Sequence, residues 1–285
     1  MEEAIRKADV LIEALPYIKD FHRKIMVIKY GGSILGEEKI RSGVMEDIVF
    51  LSYMGLCPVL VHGGGPNISE RMKSEGLKTE FVDGMRVTDE KTLFVVEEEL
   101  SKLNALIVSE IQELGGRAIG FAGSARSVIT ARKKLEGGRD LGLVGLPESI
   151  AAELIKNETK NYTVCVISPM GKDKAGKIYN INADDVAAKA AVELGAEKLM
   201  VLTNVRGIMR SIDEPGSLIS TLSVQEARKL IKEGAVQSGM IPKVKSCVSA
   251  LDGGVKKTHI IDARISHALL LEIFTKEGIG TEIIR

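Results

Sequence analysis

The chain has 285 residues, 45% hydrophobic and 27% charged, a balance that suits one large globular domain or two lobes and excludes a disordered or fibrous polypeptide. Its 39 basic residues are matched by 39 acidic ones, so the broad positive field of a non-specific nucleic-acid binder is absent and a small-molecule partner is favoured. Cys57, Cys165 and Cys247 are too scattered for a disulfide framework or a zinc set, no apolar run reaches the ~18 residues of a membrane span, and MEEAIRKADV lacks a signal-peptide pattern; a cytoplasmic protein with no membrane contact is expected.

Residues 1–24 read as a helix of their own. Ile5, Ala8, Leu11, Ile12, Leu15 and Ile18 recur every three or four positions, and Pro16 should kink or divide the helix. Its apolar stripe either folds back on the subunit or joins one subunit to another. A first strand, 25–30 (IMVIKY), carries Lys29 and runs into Gly31 and Gly32. A helical stretch (43–55) leads to a second strand, 58–62, followed by Gly63, Gly64 and Gly65. Beyond these come a helix at 90–114, strands at 117–121 and 163–168, and a polar stretch at 170–180 that reads as a loop or hairpin. A helix at 183–195, a strand at 198–203, a helix at 223–234 and a strand at 258–262 complete the pattern. Strands separated by helices predict an α/β fold with a mainly parallel sheet, whose ligands bind beyond the carboxyl ends of the strands. Both glycine runs lie there, where bare backbone can approach an anion, so the chain is expected to hold phosphate.

Motifs narrow the chemistry. GKDKAGKI (171–178) comes close to a nucleotide P-loop, but Ile178 stands where the magnesium-binding Ser or Thr belongs. No G-x-G-x-x-G, H-E-x-x-H or G-x-S-x-G is present, so hydride transfer, zinc hydrolysis and serine nucleophiles lose their support. What remains is Lys29, Arg86, Asn180, Asn182, Asp184 and Lys243, all at expected loops or element ends. Each alone is commonly a solvated side chain, and Asp184 could simply cap the helix after it. Together with glycine loops they suit phosphoryl transfer, which needs positioning and charge neutralisation rather than a covalent intermediate. A carboxylate acceptor, ionised at pH 7 with a pKa of about 4.3, would need no histidine base.

VIKYGGS, VHGGGP, GMRVTD, YNINADD, LTNVRG, SGMIPKV, HIIDARISHALLLEIFT and GIGTEI, in this order, resemble the N-acetyl-L-glutamate kinases of the amino-acid kinase family from about residue 10 onward. The resemblance implies an open three-layer α/β/α sandwich, with an acceptor and dimerisation lobe over 25–196 and an ATP lobe over 197–285. It implies phosphorylation of the γ-carboxylate of N-acetyl-L-glutamate by ATP with Mg2+, on the route to arginine, with no metal site made by protein alone. By motif, Lys29 and Lys243 match the lysines on the transferring phosphoryl group and Asp184 the aspartate that holds them. Gly64, Gly65, Arg86, Asn180 and Asn182 match acceptor positions, with Arg86 on the α-carboxylate. Gly31, Gly32, Thr203, Asn204 and Gly207 match phosphate and nucleotide positions. Asn204, where aspartate is usual, Ser238, where glycine is common, and FAGSAR at 121–126 depart from the pattern. In the arginine-sensitive branch a kinked N-terminal helix links dimers into a hexamer. The helix, Pro16 and a segment with His267, Glu272 and Gly280 resemble that branch's effector region, implying inhibition by L-arginine; some relatives also bind a PII-type regulator. Two alternatives stand: the related kinase acting on carrier-bound aminoadipate, and a non-catalytic arginine sensor.

Overall fold

The structure, a computed structural model, describes residues 1–31, 33–82, 84–136, 139–210, 215–237, 239–275 and 278–285; Gly32 and Ser238 lie outside the described residues. The first part of the chain forms α1 (Glu2–Phe21), β1 (Ile25–Tyr30), α2 (Glu38–Tyr53), β2 (Cys57–His62), α3 (Gly65–Ser74), β3 (Phe81–Val82), β4 (Met85–Arg86) and α4 (Glu90–Glu113). The middle adds β5 (Arg117–Phe121), β6 (Ile129–Glu136), β7 (Arg139–Ile150), α5 (Ala152–Thr159), β8 (Thr163–Ile167), β9 (Met170–Lys172), β10 (Ile178–Ile181) and α6 (Ala183–Leu194). The last part supplies β11 (Lys198–Thr203), β12 (Thr221–Ser223), α7 (Val224–Lys232), α8 (Ile241–Asp252), β13 (Lys257–Asp262), α9 (Ala268–Phe274) and β14 (Thr281–Ile284).

Eight strands make one sheet in the order β12-β14-β13-β11-β1-β2-β8-β5, parallel at every contact except β13 with β14. Strand periodicity sends alternate side chains to opposite faces. Val27, Val59, Cys165 and Val201 therefore join one apolar cluster with α6 and α8, while Ile28, Leu60, Val166 and Leu202 join another with α2, α4 and α9. Both faces of the sheet are dry, which is why its central strands read as unbroken apolar runs. The result is the expected three-layer α/β/α sandwich.

The stretch 170–180 is a hairpin: Tyr179 of β10 pairs with Gly171 of β9, antiparallel. It closes a small barrel with β6 and β7, a long hairpin absent from the sequence expectation. Lys and Arg interrupt the apolar alternation along ITARKKLE there, so no strand signal stands out. Of the two outcomes expected at Pro16, division does not occur, since α1 runs through it as one helix. Proline removes one backbone donor, and Ile12, whose carbonyl loses that partner, is 68% exposed, so water takes the vacant bond. Only the end of α1 packs on the body: Tyr17 meets Phe274 edge-on at 6.4 Å, and Lys198 lies 4.9 Å over the Phe21 ring. Ile5, Leu11 and Leu15 are at least half exposed. Among the described residues, no helix is long and apolar enough to cross a membrane.

Candidate active site

Adjacent parallel strands bring the two glycine loops together. Tyr30 of β1 pairs with His62 of β2, so Gly31 and Gly63 leave the sheet side by side. A side chain on Gly31 would press on Lys29 Nζ, and one on Gly63 would crowd the Cα of Gly31 at 3.4 Å. The two backbones run side by side here, with the Lys29 ammonium group against Gly31, and bare glycines keep the loops open. Gly63 N–H donates to the Tyr30 carbonyl at 2.8 Å. Buried His62 secures the loop: the Asn104 amide donates to its Nε2 at 3.1 Å, which leaves Nδ1–H to donate to the Gly63 carbonyl at 2.8 Å. The same Asn104 nitrogen donates to the Val166 carbonyl, fixing the amide's orientation. Burial lowers the His62 pKa to about 4, so the ring is neutral at pH 7. Gly64 caps α3 and Gly65 begins it, pointing a helix N-terminus at the same space.

Three charges converge next to these loops. Lys29 comes from the end of β1, Asp184 from the first turn of α6, and Lys243 from the first turn of α8, although they lie more than two hundred positions apart in sequence at the extremes. Lys29 Nζ lies 3.0 Å from Asp184 Oδ1, in ion-pair contact rather than in hydrogen-bond alignment. Lys243 Nζ lies 3.6 Å from Asp184 Oδ2 and donates to the Gly239 carbonyl at 3.4 Å. Burial raises the Asp184 pKa, but Lys29 and then Lys243 outweigh it and hold the carboxyl below its ordinary value. Lys243 is shifted down, by burial first and by Lys29 second. Asp184 does not cap its helix. That task falls to Asn182, whose side chain accepts the Asp184 N–H at 2.8 Å, leaving the Asp184 carboxylate to face the lysines. Two cations against one anion leave net positive charge in a dry site, a poor arrangement for stability and a good one for receiving an anion.

The same residues border a cleft of about 320 Å³, with Gly64, Arg86 and Asn180 on its walls. Arg86 is buried, and among the described residues it has no carboxylate partner. Its guanidinium donates to the Gly65 carbonyl at 3.1 Å, Ser69 Oγ at 2.6 Å and Met72 Sδ at 3.2 Å, and sits 4.7 Å over the Phe81 ring. Burial lowers its pKa. A desolvated guanidinium held only by neutral groups is prepared for a carboxylate. Asn180 donates through Nδ2 to Thr88 Oγ1 at 3.1 Å. Ser69, Phe81 and Thr88 are not marked in the sequence; GMRVTD contains Thr88, but nothing in the motif marks its partner.

The remaining expected positions divide. Thr203 ends β11 beside Asp262 at the end of β13, and its hydroxyl donates to Asn204 Oδ1 at 3.5 Å, so both stand at the sheet's carboxyl edge but outside the cleft. Gly207 packs against Thr281 and Leu218, where a Cβ would come within 2.9 Å of the leucine; close packing alone accounts for glycine there. Glu272 and Gly280 line a second, larger cavity of about 930 Å³ between the end of α1 and the C-terminal strands, with Tyr17, Lys198 and His259. His267 is not among them. It is paired with Asp47 of α2, Nδ1 to Oδ1 at 2.7 Å, on another part of the surface. The histidine beside Glu272 is His259, whose Nδ1 lies 2.7 Å from Glu272 Oε1. Burial raises the Glu272 pKa, but His259, the Ile279 N–H and Lys198 together bring it below its ordinary value.

The amino acid kinase family model matches residues 24–262. Acetylglutamate kinase of Caldanaerobacter subterraneus subsp. tengcongensis is 48% identical over 282 residues, which cover 99% of this chain and 94% of that protein. N-acetylglutamate synthase from Neisseria gonorrhoeae, solved with coenzyme A and N-acetyl-glutamate, matches with a TM-score of 0.87 at 29% identity, over 98% of this chain and 63% of that longer one. The same synthase complexed with coenzyme A and L-arginine matches at 0.83 and 28%, over 97% of this chain and 65% of that one. With a glycine-lined cleft holding two lysines at the carboxyl end of a parallel sheet, and with a kinase relative matching nearly from end to end, the chain belongs to the amino acid kinase family and is a kinase.

Proposed function

We propose that the chain transfers the γ-phosphoryl group of ATP to the γ-carboxylate of N-acetyl-L-glutamate, giving N-acetyl-L-glutamyl 5-phosphate on the route to arginine. One observation carries the reading: the Lys29–Asp184–Lys243 cluster and the buried, unpaired Arg86 share one cleft. A dicarboxylate with one end on Arg86 places its other carboxylate among the glycine amides and lysines. That oxygen, ionised at pH 7, attacks the γ-phosphorus; the bond from phosphorus to the bridging oxygen breaks, and ADP leaves with the electron pair. Lys29 and Lys243 neutralise charge on the moving group, Asp184 keeps both in place, and the amides of Gly31, Gly64 and Gly65 donate to phosphate or acceptor oxygens. Asn180 and Asn182 complete the acceptor wall, while Thr203, Asn204 and Gly207 belong to the nucleotide side. The family implies ATP as donor. Magnesium would arrive with the nucleotide's own phosphates, where it would neutralise their charge. The lobes are taken as 25–196 and 197–285, because their strands fill opposite halves of the sheet.

The reading extends to feedback by L-arginine and a hexameric assembly. Supporting it are the exposed stripe of α1 and the second cavity, where the Glu272 carboxylate can pair with a guanidinium and Tyr17 of α1 closes one wall. The synthase relative complexed with L-arginine supports the same ligand. An ATP-dependent assay comparing N-acetyl-L-glutamate with free glutamate, with and without arginine, tests the whole proposal. Turnover of the acetylated substrate, slowed by arginine, is expected. Nucleotide binding without turnover would favour the non-catalytic sensor, and turnover only of a carrier-bound acceptor would favour the aminoadipate kinase.

A further inference from the structure

We propose that Thr88 is a positioning residue that sets the polarity of the acceptor site by fixing which end of the Asn180 amide faces the cleft; this rests on N-acetyl-L-glutamate being the acceptor. Thr88 is fully buried. Its hydroxyl has one proton, and the Arg86 carbonyl takes it at 2.7 Å. The oxygen can then only accept, so the Asn180 atom 3.1 Å away must be the donor, Nδ2. The reverse orientation would set Asn180 Oδ1 against a hydroxyl oxygen with no proton to give. Asn180 Oδ1 is thereby turned from Thr88, and among the described residues it accepts no hydrogen bond.

The Thr88 backbone is anchored as firmly as its hydroxyl. Its N–H donates to the Leu141 carbonyl at 3.0 Å, and its carbonyl accepts from Leu143 N–H at 2.6 Å. Between them Gly142, at φ +77°, lies so close that a Cβ would collide with the Thr88 carbonyl. The small barrel thus clamps the Thr88 backbone, Thr88 clamps Asn180, and the same hydroxyl holds the strand that carries Arg86. The site presents a donor, Arg86, for the α-carboxylate and an acceptor, Asn180 Oδ1, for the neighbouring amide N–H of the acetylated amine. Where Asn180 can turn over, that second preference disappears.

The test compares N-acetyl-L-glutamate with 2-acetoxyglutarate, in which an ester oxygen replaces the amide N–H, in the wild type, Thr88→Val and Thr88→Ser. An unmet polar contact in a buried site implies a KM for the ester about ten-fold or more above that of the amide in the wild type. In Thr88→Val the KM for the amide rises and the ratio narrows to about three-fold or less, with the KM for ATP unchanged; Thr88→Ser restores the wild-type ratio. A merely structural Thr88 would lower the amount of active enzyme and leave the ratio intact, which overturns the proposal. The wild-type ratio needs no variant and decides the matter if Thr88→Val does not fold: a ratio near one overturns the polarity. No turnover of the amide by the wild type would sink the substrate reading and this proposal with it, whereas turnover with equal KM values sinks this proposal alone.

Discussion

Lys243 and His62 serve the site in opposite ways, one as a charge and one as a group kept from becoming charged. Lys243 is held loosely, 3.6 Å from Asp184 and 3.4 Å from the Gly239 carbonyl, and leans over the cleft from the start of α8. Lys243→Ala removes one of two cations from the reacting phosphoryl group while Lys29 still pairs with Asp184. Turnover should fall by about 100-fold to 1,000-fold, with the KM for N-acetyl-L-glutamate changing by less than about three-fold. Steady-state kinetics check this, and a loss confined to KM would move Lys243 out of the chemistry. His62 must stay neutral to donate to Gly63 and accept from Asn104. With a folded pKa of about 4 against an ordinary 6.5, the unfolded chain binds more protons between these values. The stability lent by a neutral His62 is present above pH 6.5 and is lost as pH falls towards 4, by up to about 1.4 kcal/mol per unit. Denaturant unfolding at pH 7 and pH 4.5 should give a smaller pH dependence for His62→Asn than for the wild type; equal dependence would mean that the ring titrates normally. Lys29, Arg86 and Asp184 could be picked out from the sequence because charged residues beside glycine loops are conspicuous. Thr88 and His62 could not, because their importance lies in which neighbour takes their single proton.

At the scale of elements, legibility follows burial. The central strands are covered on both faces, so IMVIKY and KLMVLT announce themselves as apolar runs, and the helices between them carry clear periodicity. The β6–β7 hairpin carries Arg132, Lys133 and Lys134 in succession, so both faces of β6 interrupt the apolar alternation and hide the strand. That hairpin, with β9 and β10, is the platform on which Asn180 and Thr88 meet, so part of the proposed acceptor wall rests on the least legible element. The segment proposed to bind an effector shows a related limit, because its expected residues do not all meet in one cavity. His267 stands five positions before Glu272 in sequence, but the fold sends it to the start of α9 beside Asp47 and buries His259 of β13 against Glu272. Pro16 shows the same limit, since a single proline in an exposed helix costs one backbone bond that water replaces and need not end the helix.

The whole molecule raises the question of what α1 is for. A helix that buried its stripe on its own subunit would leave few apolar residues in water, yet Val10, Leu11, Ile12 and Leu15 are all at least half exposed. Such a face marks a contact with another surface, and a second copy of the same helix offers the same stripe in a self-complementary arrangement. Its far end, through Tyr17, lines the cavity that holds Glu272, so the proposed assembly and the proposed effector binding meet at one element. The catalytic cleft takes no residue from α1. Deleting residues 1–20 should therefore turn the proposed hexamer into dimers while leaving turnover within about two-fold, and should raise the arginine concentration for half-inhibition about ten-fold or more, the scale of a typical coupling between sites. Light scattering and inhibition curves on the full-length and shortened chains read both effects. A shortened chain that remains hexameric, or a full-length chain that is dimeric from the start, would remove α1 from the assembly; an unchanged arginine response in a dimer would separate the effector cavity from it.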